Sequence, residues 1–347
     1  MTTTGSWSAA PGAADDPIDP RIDPGTDPSL GLTDVAEFAG RVAANVQRVI
    51  VGKPDVVRIA LVTLLAEGHL LVEDVPGVGK TSLAKALALS IDCSVSRVQF
   101  TPDLLPGDIT GMSIYNRQTE EFEFRPGPVF ANVVIADEIN RASPKTQSAL
   151  LECMEERQVT VDGTTHLLES PFIVVATQNP VEMEGTFPLP EAQRDRFMAR
   201  VSMGYPAARA EIDMLERHAD REPLEALEPV SDAATVRRLI GITHAVYAAD
   251  AVKEYIVNLV RATRTSSDLR LGASPRAALH LLRAAKAHAA MSGRNHVLPD
   301  DVQALAHGVL AHRLLPSTDA QLARRTPEDV VGQVLAEVPV PRPRATA

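Results

Sequence analysis

Two short segments carry residues that could bind and cleave a phosphoanhydride. The first is Asp74-Val75-Pro76-Gly77-Val78-Gly79-Lys80-Thr81-Ser82. Gly77 and Gly79 let the backbone turn its N–H groups inward around an anion. Lys80 can neutralise β- and γ-phosphates, and the Thr81 hydroxyl can ligate Mg²⁺. The second segment is Val133-Val-Ile-Ala-Asp137-Glu138, with Asp137 placed 56 residues after Thr81. Asp137 would hold Mg²⁺ through water, and Glu138 would orient or deprotonate the attacking water. A glycine loop alone also fits a ligand-free strand-to-helix turn, and an acidic strand end alone also fits a helix cap. Both together, in this order, point to Mg²⁺-dependent nucleotide hydrolysis. One position departs from the phosphate-loop pattern G-x-x-x-x-G-K-[ST], because Asp74 stands where the first glycine is usual. Pro76 and Gly77 can set that turn instead.

The surrounding elements must place these residues. His69–Glu73 is a short apolar run of the kind that forms a buried strand, and a helical pattern follows from about Gly79. The loop therefore ends at a helix N-terminus, where unpaired N–H groups favour an anion. Val133–Ala136 is apolar on both faces, as a central parallel strand would be. Further strands are expected at Ser96–Phe100 and Phe172–Thr177, with a helix over Pro144–Arg157 between Val133–Ala136 and Phe172–Thr177. Two helices precede the sheet, one capped by Asp34 and running to about Val49, the other from about Pro54 to Glu67. Alternation of this kind predicts an α/β fold, a parallel sheet flanked by helices. Residues 101–130 carry turn signals around a strand pair, and 157–170 alternate around Asp162-Gly163, a hairpin signal. After about Gly204 the strands are expected to stop. Residues 231–317 then read as a small all-α domain, and 205–230 as a linker.

The chain has 347 residues, enough for about two domains. Aromatic residues make up only 4%, so the core must be mainly aliphatic. The net charge of −11 argues against a general nucleic-acid binder. Cys93 and Cys153 lack metal-ligand spacing and read as small core residues, suited to a reducing cytoplasm. No run of 18 apolar residues or basic-plus-apolar leader is present, so neither a membrane span nor a signal peptide is expected. Residues 1–33, with five Asp and five Pro, read as a disordered acidic tail spanning no core. The segment 318–347 is expected to fray as a second tail. His69, His280 and His288 show no ligand pairing and read as surface or satisfied core groups.

Five stretches in order carry a resemblance. They are the phosphate loop, Asp137-Glu138-Ile-Asn-Arg-Ala, Ala176-Thr-Gln-Asn179-Pro, Pro190-Glu-Ala-Gln-Arg-Asp-Arg196-Phe and Gly272-Ala-Ser-Pro-Arg276-Ala. Over roughly 34–316 the chain resembles the MoxR family of AAA+ P-loop ATPases. The resemblance implies an α/β nucleotide-binding domain over 34–204 with a helical lid, binding ATP and Mg²⁺. It implies chaperone-like remodelling of a protein client by a ring, typically a homo-hexamer, beside a partner with a von Willebrand factor A domain. It implies that Asn179 is the first sensor, placing water near the γ-phosphate. It implies that Arg196 is the arginine finger, with Arg194 and Arg200 as nearby alternatives, and that Arg276 is the second sensor, on the lid. Val51-Gly52 falls where the family contacts adenine, and the stretches 101–130 and 157–170 fall where its branch carries inserts. Arg141 fits either a subunit interface or a salt bridge within the subunit. Rival readings are a nucleotide-gated assembly scaffold, a DNA-acting motor and a metal-chelatase subunit.

Overall fold

The computed structural model describes residues 30–179, 185–205, 208–209, 211–212 and 223–341. Along the first part of the chain run α1 (Leu32–Gln47), α2 (Pro54–Leu65), β1 (Leu70–Glu73), α3 (Lys80–Ser90) and β2 (Val95–Gln99). Then come α4 (Pro106–Thr110), β3 (Gly111–Asn116), β4 (Glu121–Pro126), β5 (Val133–Asp137) and α5 (Pro144–Glu156). The hairpin β6 (Gln158–Val161) and β7 (Thr164–Leu167) leads to β8 (Ile173–Gln178), α6 (Glu191–Arg194) and β9 (Ala199–Val201). Five of these strands form one sheet in the order β2-β5-β8-β1-β9, every neighbouring pair parallel.

Strand side chains alternate between two faces, and the core divides accordingly. Leu70, Val72, Val133, Ile135, Ile173 and Val175 join the apolar cluster of α1, α2, α3 and the lid. Leu71, Val134, Ala136, Val174 and Ala176 join the cluster of α5 and the inserts. β5 is buried along its whole length, as its unbroken apolar run requires. β9 was not expected from the sequence. It is three residues long with Arg200 in the middle, too short to show a period.

The lid comprises α7 (Ala233–His244), α8 (Asp250–Thr265), β10 (Leu269–Leu271), α9 (Pro275–Met291) and α10 (Pro299–Leu310). It continues through β11 (Leu315–Pro316), α11 (Thr318–Leu322) and α12 (Pro327–Glu337). Two expectations are corrected here. The lid is not purely helical, because β10 and β11 pair antiparallel. Residues 318–337 are not a frayed tail: Thr326 caps α12, and Val330, Val331 and Val334 are buried in the core. At the other end, α1 begins at Leu32, which packs on the core, so residues 32–33 belong to the folded body rather than the tail. Asp34 does not occupy the cap position; from the first turn its carboxylate accepts the Gly31 N–H at 2.6 Å. The linker expected at 205–230 lies partly outside the described residues.

Asp301 anchors the lid. Its side chain is buried at the start of α10 and accepts from Arg294 at 2.8 Å, His288 at 2.7 Å and the Leu298 N–H at 2.7 Å. Burial opposes its ionisation, but those hydrogen bonds outweigh burial and hold its pKa down at about 2. A depressed folded-state pKa gives stability that is full above the unfolded carboxylate range. That stability is lost as pH falls through about 4 toward 2. Asp301→Asn is expected to lower unfolding stability by about 2 kcal/mol at pH 7, with the gap narrowing as pH falls below 4. Urea unfolding followed by circular dichroism at pH 7, 5 and 3.5 checks this.

Candidate functional site

The phosphate loop leaves β1 at its carboxyl end and enters α3 at Lys80. Gly77 and Gly79 have φ of +81° and +89°, a region that side chains rarely adopt. A Cβ on Gly77 would meet nothing within 4 Å, so the loop faces open space at that point. Val75, Pro76, Val78 and Ser82 complete the turn and the first turn of α3. Lys80 Nζ donates to the carbonyls of Asp74 at 2.5 Å and Gln178 at 3.2 Å, at the carboxyl ends of β1 and β8. Ile50 Cδ1 and Met203 Cε lie 3.8 and 3.7 Å from where a Gly79 Cβ would be, so the turn containing Val51-Gly52 adjoins the loop.

Asp74 has a use that the glycine of the usual pattern could not supply. Its carboxylate accepts the Val75 N–H at 2.7 Å, the Ser202 hydroxyl at 2.8 Å and the Gly204 N–H. Burial raises its pKa, yet the hydrogen bonds from Gly204, Ser202 and Val75 prevail and hold it below the usual carboxylate range. The start of the phosphate loop is thereby tied to the chain leaving β9.

The acidic pair lies beside the loop. Thr81 Oγ1 donates to Asp137 at 3.1 and 3.2 Å. Asp137 also accepts from Arg97 Nε at 2.7 Å and Thr177 Oγ1 at 3.2 Å. A hydroxyl and a carboxylate converging at the mouth of a phosphate loop are hard oxygen donors, the set that suits Mg²⁺. Glu138 has φ +56° and ψ +48°, a left-handed conformation costly for a residue with a Cβ. Its N–H donates to Thr177 Oγ1 at 3.0 Å, and its carboxylate accepts from Gln99 at 2.9 Å and Arg141 at 3.1 Å. Arg141 therefore salt-bridges within the subunit. Asn179 follows β8 directly and is buried, and its carbonyl lies 3.4 Å from Asn140 Nδ2. Sequence reading missed Arg97, Gln99 and Thr177. The two on β2 alternate along a strand next to β5, which parallel pairing alone would align with Asp137.

The arginines lie elsewhere. Arg196 precedes β9, and the N–H of Met198 bonds the carbonyl of His69 at the amino end of β1. Arg276 donates to Glu155 at 2.7 Å, and Arg196 lies 3.6 Å from the same carboxylate. Glu67, Gly68, His69, Met154, Arg157, His280 and Arg283 complete a cleft of about 100 Å³ around them. From His69 to Asp74 the chain climbs the sheet by roughly 17 Å at ~3.3 Å per residue. The two arginines and the phosphate loop of one subunit thus occupy opposite edges of one sheet. Arg200 is committed within the subunit to Glu73 at 2.8 Å and to Glu328. Arg194 ends α6 on the same loop as Arg196.

The other singled-out groups are structural. Burial pushes the Cys93 and Cys153 thiols up to about 11 and 12. His69 is a neutral core histidine, pulled to about 3 by burial; it accepts from the Val174 N–H and donates to Met154 O, each at 3.0 Å. Among the described residues no cluster of metal-ligating side chains occurs, and no helix is long and apolar enough to cross a membrane.

Fold and site together define a AAA-type P-loop ATPase. Residues 69–199 match the ATPase family associated with various cellular activities (AAA), and 261–334 match the AAA lid domain. Protein YeaC of Bacillus subtilis is 50% identical, over 90% of this chain and 98% of that one. Chaperone MoxR1 of Mycobacterium tuberculosis is 40% identical, over 99% and 94%. Protein MoxR of Methylorubrum extorquens is 32% identical, over 89% and 97%. A solved structure from Cytophaga hutchinsonii superposes with a TM-score of 0.83 at 38% identity, covering 90% of this chain and 97% of that one. The chain belongs to the MoxR family of AAA+ ATPases, and it hydrolyses ATP.

Lys80→Ala is expected to abolish nucleotide binding. Glu138→Gln should bind ATP with near-normal affinity and lose turnover by ~10²-fold or more, because shape is kept and the carboxylate expected to orient or deprotonate the attacking water is removed. Titration with a fluorescent ATP analogue and a phosphate-release assay check both. Wild-type turnover in Glu138→Gln would refute its role.

Proposed function

We propose that this ATPase works as a ring, six subunits by resemblance to its family, and turns Mg²⁺-dependent hydrolysis into remodelling of a protein client. Asp137 and Thr81 would hold the metal, which supplies charge neutralisation at the phosphates. Glu138 would take a proton from the attacking water, and Asn179 would help place that water. Arg196 and Arg276 would stabilise transition-state charge on the nucleotide of the adjacent subunit.

One observation carries the reading. The two arginines share Glu155 at the sheet edge opposite their own phosphate loop, which favours a role toward another subunit's phosphates. Glu155 is the anion they hold in the isolated subunit, and a neighbour's γ-phosphate would replace it.

Client remodelling rests on a second feature. In a chain with so few aromatic residues, Tyr115 and Phe122 pair at 5.3 Å on the β3–β4 hairpin, and Phe122 is 73% exposed. An exposed aromatic pair on a projecting hairpin suits contact with an unfolded or loosely held polypeptide. The name of the tuberculosis relative, a chaperone, agrees with this role. The net charge of −11 favours a protein client over nucleic acid. A partner with a von Willebrand factor A domain and a cytoplasmic site of action complete the proposal.

Arg196→Ala should leave nucleotide affinity nearly unchanged and lower turnover by ~10²-fold or more. Mixed with Lys80→Ala subunits it should regain activity, because a mixed interface pairs an intact phosphate loop with an intact arginine. A mixture no more active than its parents, while subunits exchange, would contradict the proposal.

A further inference from the structure

Arg313 follows α10 on the lid, and its side chain is only 1% exposed. It directs N–H groups at the loop that carries Arg196, and its terminal nitrogens also meet the Val309 carbonyl and His280 Nδ1, the latter at 2.6 Å. Nε donates to Asp195 Oδ1 at 2.8 Å, and the terminal nitrogens donate to the carbonyls of Asp195 at 3.0 Å, Phe197 at 2.6 Å and Met198 at 3.3 Å. The backbone on both sides of Arg196 is therefore bonded to one buried lid side chain. Asp195 extends the link in the other direction. It accepts from the Ser274 hydroxyl at 2.8 and 2.9 Å, and its second oxygen lies 3.6 Å from Arg276 Nη1. Ser274 caps α9 by accepting the Ala277 N–H, and Arg276 lies in the first turn of that helix. Burial pulls the Arg313 pKa down to about 10, against the pull of Asp195, so the guanidinium is still charged at neutral pH.

Two long arginine side chains from different domains would each lose rotamer freedom on meeting a phosphate, and a hinge between their domains would let them meet it separately. We propose that Arg313 and Asp195 form a positioning pair that fixes Arg196 and Arg276 to each other as one preformed clamp for the neighbouring subunit's phosphates. The pair touches no nucleotide itself. The inference rests on the reading that Arg196 and Arg276 act across the subunit interface. It adds that core and lid deliver the two cations as a single body. Rotation of the lid that broke the Arg313–Asp195 contact would part the two cations and dismantle the clamp.

A pair that merely locks the domains would lower thermal stability and leave turnover per folded subunit intact. A positioning pair behaves differently. Arg313→Lys keeps the charge but cannot span four acceptors, and Asp195→Asn keeps the shape but loses the ion pair. In the full-length chain, at a temperature where circular dichroism shows each variant folded, both are expected to bind a fluorescent ATP analogue normally. Saturated turnover should fall on the order of 10- to 100-fold. The loss should add only in part to that of Arg196→Ala: in the double variant Arg196→Ala/Arg313→Lys only the placement of Arg276 is left to lose. Mixing Arg313→Lys with Lys80→Ala subunits should restore activity.

Wild-type turnover in folded Arg313→Lys and Asp195→Asn would overturn the proposal, and so would losses that add fully to Arg196→Ala. Should Arg313→Lys fail to fold, Asp195→Asn and its double variant with Arg196→Ala decide the matter alone. The two levels fail separately. If Arg196→Ala itself is not rescued by Lys80→Ala subunits, the cross-subunit reading is wrong. If it is rescued while the positioning variants behave as wild type, only the clamp is wrong.

Discussion

The polarity of a five-stranded parallel sheet governs the rest of this molecule. Every strand ends at the same edge, so β1 delivers the phosphate loop and β5 delivers Asp137 and Glu138 to one place. The return segments end at the other edge, and there α5 presents Glu155 while the loop before β9 presents Arg196. Chemistry that needs both the acidic pair and the arginines cannot be assembled within one such sheet. On the proposed reading, the amino edge of one copy would face the carboxyl edge of the next. Such a heterologous contact repeats head to tail, and it gives a ring where the rotation between copies closes. The proposed ring thus follows from strand direction.

At the carboxyl edge the chain stores strain and offsets it with hydrogen bonds. Glu138 adopts a left-handed conformation of the kind usually left to glycine. Thr177 on the neighbouring strand accepts its N–H and donates to Asp137, so one hydroxyl fixes the turn between the two carboxylates. Gln99 and Arg141 hold the Glu138 side chain, and Arg97 neutralises Asp137. Asp74 adds a tie from the phosphate loop to Ser202 and Gly204, on the way out of the α/β domain. The loop that would sense phosphate is in this way bonded to the chain that leads toward the lid.

What the sequence made legible follows a physical rule. The phosphate loop and the Asp137-Glu138 strand could be read because their chemistry lies in consecutive residues on strongly apolar strands. β9 could not, since three residues around Arg200 show no period. The helices after 317 were hidden by proline-rich surroundings. Thr326-Pro-Glu-Asp329 is nonetheless a helix start, with Val330, Val331 and Val334 on one face behind it. Arg97, Thr177 and Arg313 act through partners dozens of residues away, which only the folded chain brings near. The edge on which Arg276 lies was equally unreadable. It depends on the direction in which α5 returns and on how the lid packs against α1 and α2, not on the residues beside it.

The central claim is that Arg196 and Arg276 serve a neighbour's nucleotide and not their own. A cryo-electron microscopy structure of the Glu138→Gln protein with ATP and Mg²⁺ tests it most directly. The account expects both guanidinium groups within hydrogen-bond reach, ~3 Å, of phosphate oxygens bound by the adjacent subunit, with Glu155 released. It also expects them to stay roughly 17 Å or more from their own phosphate loop. A ring in which Arg276 reaches the phosphates of its own chain, or in which both arginines remain on Glu155 with ATP bound next door, would contradict it.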